Sequence, residues 1–323
     1  MIFDQEFIRT SVKEFPRTVL RGVGQVMFQD YRWTGLLFLI GIFWGAYEEG
    51  FPLVAWGALV GVLVSTLTGY ILRLPDQHGA NGLWGFNGVL VGCAFPTFLA
   101  NTVWMWIAMI ICSALTTVAR SAMDNILGRW KMSSFTFPFV FCTWIFLLSA
   151  RLFQGFPAVN MGTPEFAHGG TEVLDLGILS LLEYWLRGIS QVFLINSWVT
   201  GLFFLAGLAV SSKRAAIWAA VGSAIALFIA IVWKGPGADI ANGLYGFSAV
   251  LTAIALGATY CNFSWKAGIW TVFGTIATVF IQAAMNAFFA PMGLPTLTGP
   301  FCVATWIFLF PAYKFFMPKP AAK

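Results

Sequence analysis

The chain has 323 residues, 59% of them hydrophobic and only 10% charged, with a net charge of +5 and a mean hydropathy of +0.80. A soluble domain carries about a quarter of its residues charged, so this composition excludes one and makes the bilayer the expected solvent. The Lys and Arg residues are scattered over segment ends, and a nucleic-acid partner is not needed to explain the positive balance.

Residues 1–21 carry Asp4, Glu6, Arg9, Lys13, Glu14, Arg17 and Arg21 without an apolar run, so no cleavable signal is read there. A short segment at 16–29 mixes Arg, Gly and Gln. It is too polar to face lipid along its length and reads as a re-entrant half-helix, since irregular backbone is tolerated only where it is buried in protein or lines a cavity. Apolar segments then follow at 33–47, 51–72, 83–99, 102–119 and 135–152. The polar stretch 154–178, with Gly162, Thr163, Pro164, His168, Gly169 and Gly170, reads as a linker. The second half repeats the order: a short segment at 180–196, then apolar segments at 197–211, 215–233, 243–260, 268–290 and 299–317. Stretches 83–119, 188–212 and 267–313 contain no Asp, Glu, Lys, Arg or His, as membrane helices of about 20 apolar residues require.

The halves also repeat in sequence. "LRGVGQVMF" (20–28) returns as "LRGISQVFL" (186–194), "NGLWGFNG" (81–88) as "NGLYGFSA" (242–249), and "TFPFVFCTWIFLL" (136–148) as "TGPFCVATWIFLF" (298–310). The offsets are 166, 161 and 162 residues, in unchanged order, which marks an internal duplication. The period is too long for a solenoid and suits a two-repeat transporter or channel. Five crossings per half is an odd number, so the halves are expected to be inverted about an axis in the membrane plane. The expectation is an all-α integral membrane protein: two inverted repeats, each about five transmembrane helices plus re-entrant pore half-helices, around a central pore. Residues 1–153 form the first repeat, 154–179 the linker and 180–323 the second repeat. Arg9, Lys13, Arg17 and Arg21 at one end and Lys314, Lys319 and Lys323 at the other place both termini in the cytoplasm of a cell (inner) membrane protein.

Candidate pore residues come in pairs across the repeats. Phe86 and Leu90 are spaced i, i+4 and share a helix face, as do their repeat mates Phe247 and Leu251. Gln25 and Gln191 are mates, as are Thr136 and Thr298. Each has an ordinary reading too. The apolar residues fit helix packing, and the Gln pair fits interhelical hydrogen bonding. The Thr pair precedes Pro138 and Pro300 and fits a cap as well as a filter. Asn81 and Asn242 read as N-caps of broken helices. His78 and His168 fall in polar loops. The cysteines, Cys93, Cys112, Cys142, Cys261 and Cys302, lack metal or disulfide spacing and read as small core residues. No metal, cofactor or catalytic constellation is expected, and the chain does not read as an enzyme.

The paired "NGLWGFNG"/"NGLYGFSA" and "LRGxxQ" blocks, with "LPTLT" (294–298) matching an LPxxT signature, resemble the urea transporter family, the facilitative urea channels of bacteria and animals. The resemblance runs from about residue 15 to 317; it departs where "SSFT" (133–136) replaces the Leu-Pro half of the signature. It implies passive urea transport through a filter with apolar walls and a ladder of oxygen acceptors. It implies a slot formed by Phe86, Leu90, Phe247 and Leu251, an edge formed by Gln25, Gln191, Thr136 and Thr298, and a wall at Phe28, whose mate is Leu194. It further implies a homotrimer in membrane lipid with one pore per protomer. The alternatives are a channel for another small neutral amide or ammonia, and an ion-coupled solute transporter. Coupling usually requires buried carboxylates, and the filter segments have none.

Overall fold

The computed structural model describes residues 5–74, 79–170 and 172–315. His78, Lys319, Lys323 and the end of the 299–317 segment lie outside them. The described residues fold into helices joined by turns and one long loop. In the first half these are α1 (Gln5–Gln25), α2 (Arg32–Glu48), α3 (Pro52–Leu72), α4 (Phe86–Phe98), α5 (Val103–Leu127) and α6 (Phe137–Ser149). In the second they are α7 (Ile178–Ser190), α8 (Trp198–Ser211), α9 (Lys213–Val232), the short α10 (Gly237–Ala241), α11 (Gly246–Ile254), α12 (Trp265–Phe289) and α13 (Gly299–Phe315). A π-helical turn, Ala255–Tyr260, extends α11.

Local chemistry sets several of these boundaries. Pro52 opens α3, where its missing N–H costs nothing. The hydroxyl of Thr102 accepts from Met105 N at 3.0 Å to cap α5, and Ser264 accepts from Ala267 N at 3.1 Å to cap its counterpart α12. Both of these helices have 25 residues, about 37 Å at 1.5 Å per residue, and both are long enough to cross a bilayer core of about 30 Å.

Among the described residues four helical stretches are long and apolar enough to cross alone: Pro52–Leu72, Val103–Trp130, Lys213–Val232 and Trp265–Met292. Ile178–Phe193 and Trp198–Ser211 form a further pair, bent by 71° at a short break. The segments expected at 83–99, 135–152, 243–260 and 299–317 contain the shorter helices Phe86–Phe98, Phe137–Ser149, Gly246–Tyr260 and Gly299–Pro311. The first two have 13 residues, about 20 Å. Hydropathy does not separate them from full spans, because an apolar helix sheathed in protein has the same composition as one in lipid. Every residue of α4 from Phe86 to Phe95 is buried. Conversely, α1 is longer than the 16–29 segment predicted, with 21 residues.

Close backbone approach places α4 against α3. A Cβ on Gly57 or Gly61 would collide with the carbonyl oxygens of Gly92 and Gly88, so the two helices touch along small residues spaced four apart.

The duplication is written into the geometry. Residues with φ in the left-handed region come as mates: Phe28 (62°) and Leu194 (57°), Arg73 (45°) and Lys234 (54°), Phe135 (50°) and Leu297 (51°), Lys131 (59°) and Gly293 (57°). Gly82 and Gly243 have φ of 92° and 71°, a conformation that Gly adopts without steric cost. Contacts between the halves are reciprocal. Thr34 Oγ1 donates to Gly207 O at 2.7 Å, and Thr200 Oγ1, its mate, donates to Gly41 O at 2.8 Å. Trp144 Nε1 donates to Pro295 O at 2.8 Å, and Trp306 Nε1 donates to Ser133 O at 2.9 Å. The mates Phe38 and Phe204 touch each other directly, ring centroids 4.9 Å apart.

Candidate permeation pathway

Two cavities approach each other between the halves. The first, about 290 Å³, is bordered by Gln25, Phe28, Phe86, Arg120, Phe135, Thr136, Tyr260 and Phe301. The second, about 630 Å³, is bordered by Gln191, Leu194, Phe247, Leu297 and Thr298, the mates of Gln25, Phe28, Phe86, Phe135 and Thr136, and also by linker residues 162–163 and 165–169. Thr136 belongs to one cavity and Thr298 to the other, and their hydroxyl oxygens are 2.6 Å apart. This buried hydrogen bond between repeat mates joins the borders of the two cavities.

The predicted residues divide into two groups. Gln25, Phe28, Phe86, Thr136, Gln191, Leu194, Phe247 and Thr298 all border a cavity. Leu90 and Leu251 border neither; both are fully buried, one helical turn beyond Phe86 and Phe247. A residue four positions on shares a helix face, but here the turn nearer the helix start meets the open space and the next turn meets protein.

The polar groups are held by matching bonds. Gln25 Nε2 donates to Asn81 O at 2.9 Å, and Gln191 Nε2 donates to Asn242 O at 2.9 Å. Each glutamine thereby uses an N–H on a main-chain carbonyl and keeps its acceptor oxygen. Asn81 and Asn242 are not N-caps: α4 starts from Gly85, and Asn242 ends α10. Their place is a tight glycine turn, whose carbonyls the glutamines bind. Thr136 occupies the N-cap position of α6 by backbone, yet its side chain makes no cap bond. Its hydroxyl faces Thr298 and, at 3.4 Å, Cys302 Sγ.

Apolar rings pack around the first cavity. Phe28 meets Tyr260 and Phe301 edge-on, with centroids 5.8 and 6.0 Å apart. Its left-handed backbone turns the side chain out of the helix end. The sequence reading missed Phe135, Leu297, Tyr260 and Arg120. Arg120 was detectable: it is the first charge after the uncharged stretch 83–119, and Asp124 follows one turn later.

A third cavity of about 310 Å³ adjoins the second, sharing Gln191, Leu194 and Leu244, and is bordered by Glu49, Asn160 and Asn196. Glu49 sits at the turn after α2, and burial pushes its carboxyl up to about 7 despite a hydrogen bond from the Asn196 main chain. Among the described residues no cluster of three or more His, Cys, Asp or Glu could hold a metal, and the five cysteines are buried and free.

An all-helical, multi-pass membrane protein with two cavities bordered by matching residues has the make-up of a membrane transport protein. The family model for urea transporters matches residues 16–313, and the chain belongs to that family, which is one of transporters and not of enzymes. It is 30% identical over 300 residues to urea transporter 1 of Ovis aries, covering 92% of this chain and 77% of that one. It is 29% identical to urea transporter 1 of Capra hircus and of Mus musculus, with the same coverage.

Proposed function

We propose that the chain is a passive urea channel, in which residues 1–153 and 180–323 are inverted repeats, joined by linker 154–179 and meeting around one pore. The observation that carries this reading is the uncharged Thr136–Thr298 junction between two cavities bordered by matching residues. Urea is planar, neutral and polar, with four N–H bonds and a carbonyl. Leaving a polar group unmatched in an apolar setting costs about 2–7 kcal/mol by transfer scales. Gln25, Thr136, Thr298 and Gln191 follow one another as an oxygen-bearing edge, while Phe28, Phe86, Leu194 and Phe247 supply flat apolar faces. Leu90 and Leu251 back the two phenylalanines from the next turn.

The reciprocal contacts between halves support a two-fold relation, because in such an arrangement residue i meets j and the mate of j meets the mate of i. With an odd number of crossings per half, that axis lies in the membrane plane. Both termini then lie in the cytoplasm of an inner-membrane protein, and the assembly is a homotrimer with a pore in each protomer. Exposed apolar rings such as Trp44, Trp104, Phe228 and Trp265 suit contact with lipid or a neighbouring protomer.

The deciding experiment is stopped-flow urea flux in proteoliposomes of the purified protein. Flux is expected to be linear in the urea gradient at low concentration and indifferent to sodium, protons and membrane potential. Accumulation of urea against its gradient would make the protein an ion-coupled transporter instead.

A further inference from the structure

The two cavities differ in charge. Arg120, near the end of α5, has a side chain only 11% exposed, and its guanidinium lies 5.9 Å from the ring centroid of Phe86 on the border of the first cavity. It pairs with Asp124 at 3.0 Å. Asp124 does not border that cavity, and its other oxygen accepts the amide N–H of Ser134 at 2.8 Å. The pair therefore presents its cationic part to the path.

The repeat mates of Arg120 and Asp124 are Gln282 and Asn286. They occupy the same place with neutral groups: Gln282 Nε2 donates to Leu244 O, and Asn286 Oδ1 accepts from Thr296 Oγ1, whose residue is the mate of Ser134, at 3.0 Å. A neutral pair thus suffices to tie this helix to the pore loop. The charge of Arg120 needs another explanation. The ionisable residues bordering the second cavity are Glu165, His168, Asp239 and Tyr245, so the carboxylates border the other cavity.

We propose that Arg120 is a specificity-determining residue that excludes cations, guanidinium and ammonium among them, from the path that admits urea. The proposal rests on the urea-channel reading. Guanidinium has the planar N–C–N edge of urea, and a ladder of oxygen acceptors receives its N–H groups equally well. Carboxylates at the second cavity attract it further. Shape and hydrogen bonding at the Thr pair do not reject it; the cost of dehydrating the ion opposes its entry, and a repulsive element raises that barrier further. A like charge on this partly buried border, offset in part by Asp124 at 3.0 Å, lowers passage on the order of tenfold. Neutral urea meets the same guanidinium as a hydrogen-bond donor for its carbonyl.

The test compares fluxes of labelled urea and labelled guanidinium into proteoliposomes at zero membrane potential. The wild-type protein is expected to carry urea with guanidinium flux at least about tenfold lower, on the order of the repulsion above. R120Q, which copies the other repeat, is expected to raise the guanidinium-to-urea ratio about tenfold or more. R120K keeps the charge and is expected to keep the ratio low, whatever it does to urea flux. If R120Q does not assemble, R120Q/D124N reproduces the neutral pair of the second repeat and is read in the same way. A merely structural Arg120 would lower urea flux in R120Q and R120K alike and leave the ratio unchanged, and that result overturns the proposal. A wild-type protein that carries no urea overturns the channel reading itself, which is a separate outcome.

Discussion

Thr136 and Thr298, separated by 162 positions in the chain, meet hydroxyl to hydroxyl at 2.6 Å between the two cavities. One hydroxyl donates to the other, so a solute that passes must replace this bond with its own. Thr298→Val keeps the shape and removes one oxygen. Leaving a buried group unmatched costs about 1–3 kcal/mol, so urea flux is expected to fall roughly tenfold or more, at about 1.4 kcal/mol per decade. Thr136→Val is expected to match it. Because the two hydroxyls bond each other, the double variant is expected to lose less than the product of the single losses. Stopped-flow rates normalised to inserted protein check this, and a wild-type rate in Thr298→Val removes the Thr from the edge.

Glu49 offers a pH readout. Its folded carboxyl lies near 7, raised first by burial and also by the neighbouring Glu48, above its usual value of 4.5. Between these values the folded state binds more protons than the unfolded state, so stability falls as pH rises. The contribution is complete below about 4.5 and is lost as pH passes through about 7. Glu49→Gln is expected to flatten that part of the curve. Melting temperatures of wild type and variant, followed from pH 4.5 to 8, check it; parallel curves would show that Glu49 does not titrate there.

Much of this was legible in the sequence because a duplication reports on itself. The pairings Gln25/Gln191, Phe28/Leu194, Phe86/Phe247 and Thr136/Thr298 were read from aligned blocks, and all eight residues border the two cavities. Periodicity placed Leu90 and Leu251 on the same helix faces as Phe86 and Phe247; they lie one turn deeper, outside the borders of the two cavities, because spacing names a helix face but not the depth at which it meets open space. Helix length was illegible for a related reason. Residues 86–98 are apolar because protein surrounds them, and a window of hydropathy does not report what the neighbour is. Phe135 and Leu297 border the two cavities through left-handed backbone, which neither residue type announces. Arg120 stands out in the sequence only as a charge, because its repeat mate is the neutral Gln282 and the pair does not announce itself as a repeat.

The proposed inversion of the halves predicts opposite exposure of mates. Arg73 and Lys234 both end long helices, both are exposed, and both already hold a positive φ without being glycine. Arg73→Cys and Lys234→Cys, each in a background lacking the five native cysteines, are expected to react with an impermeant maleimide from opposite sides of sealed vesicles. Labelling of both from one side would place the halves in parallel.

The apolar walls predict a selectivity change with an order to it. Phe86 and Phe247 are mates, but Phe86 borders the smaller cavity, about 290 Å³ against 630 Å³, and is itself only 5% exposed. Removing its ring widens the narrower approach. Phe86→Ala is therefore expected to raise the ratio of N-methylurea to urea flux more than Phe247→Ala does. Urea itself still passes in both variants, since the oxygens of Gln25, Gln191 and the Thr pair remain. Truncating a buried Phe costs about 3–5 kcal/mol of stability, so each variant must first elute and melt as folded protein. Equal, unchanged ratios in two folded variants would show that these rings only pack the helices, and that the path is sized by other residues, Phe135 and Leu297 first among them.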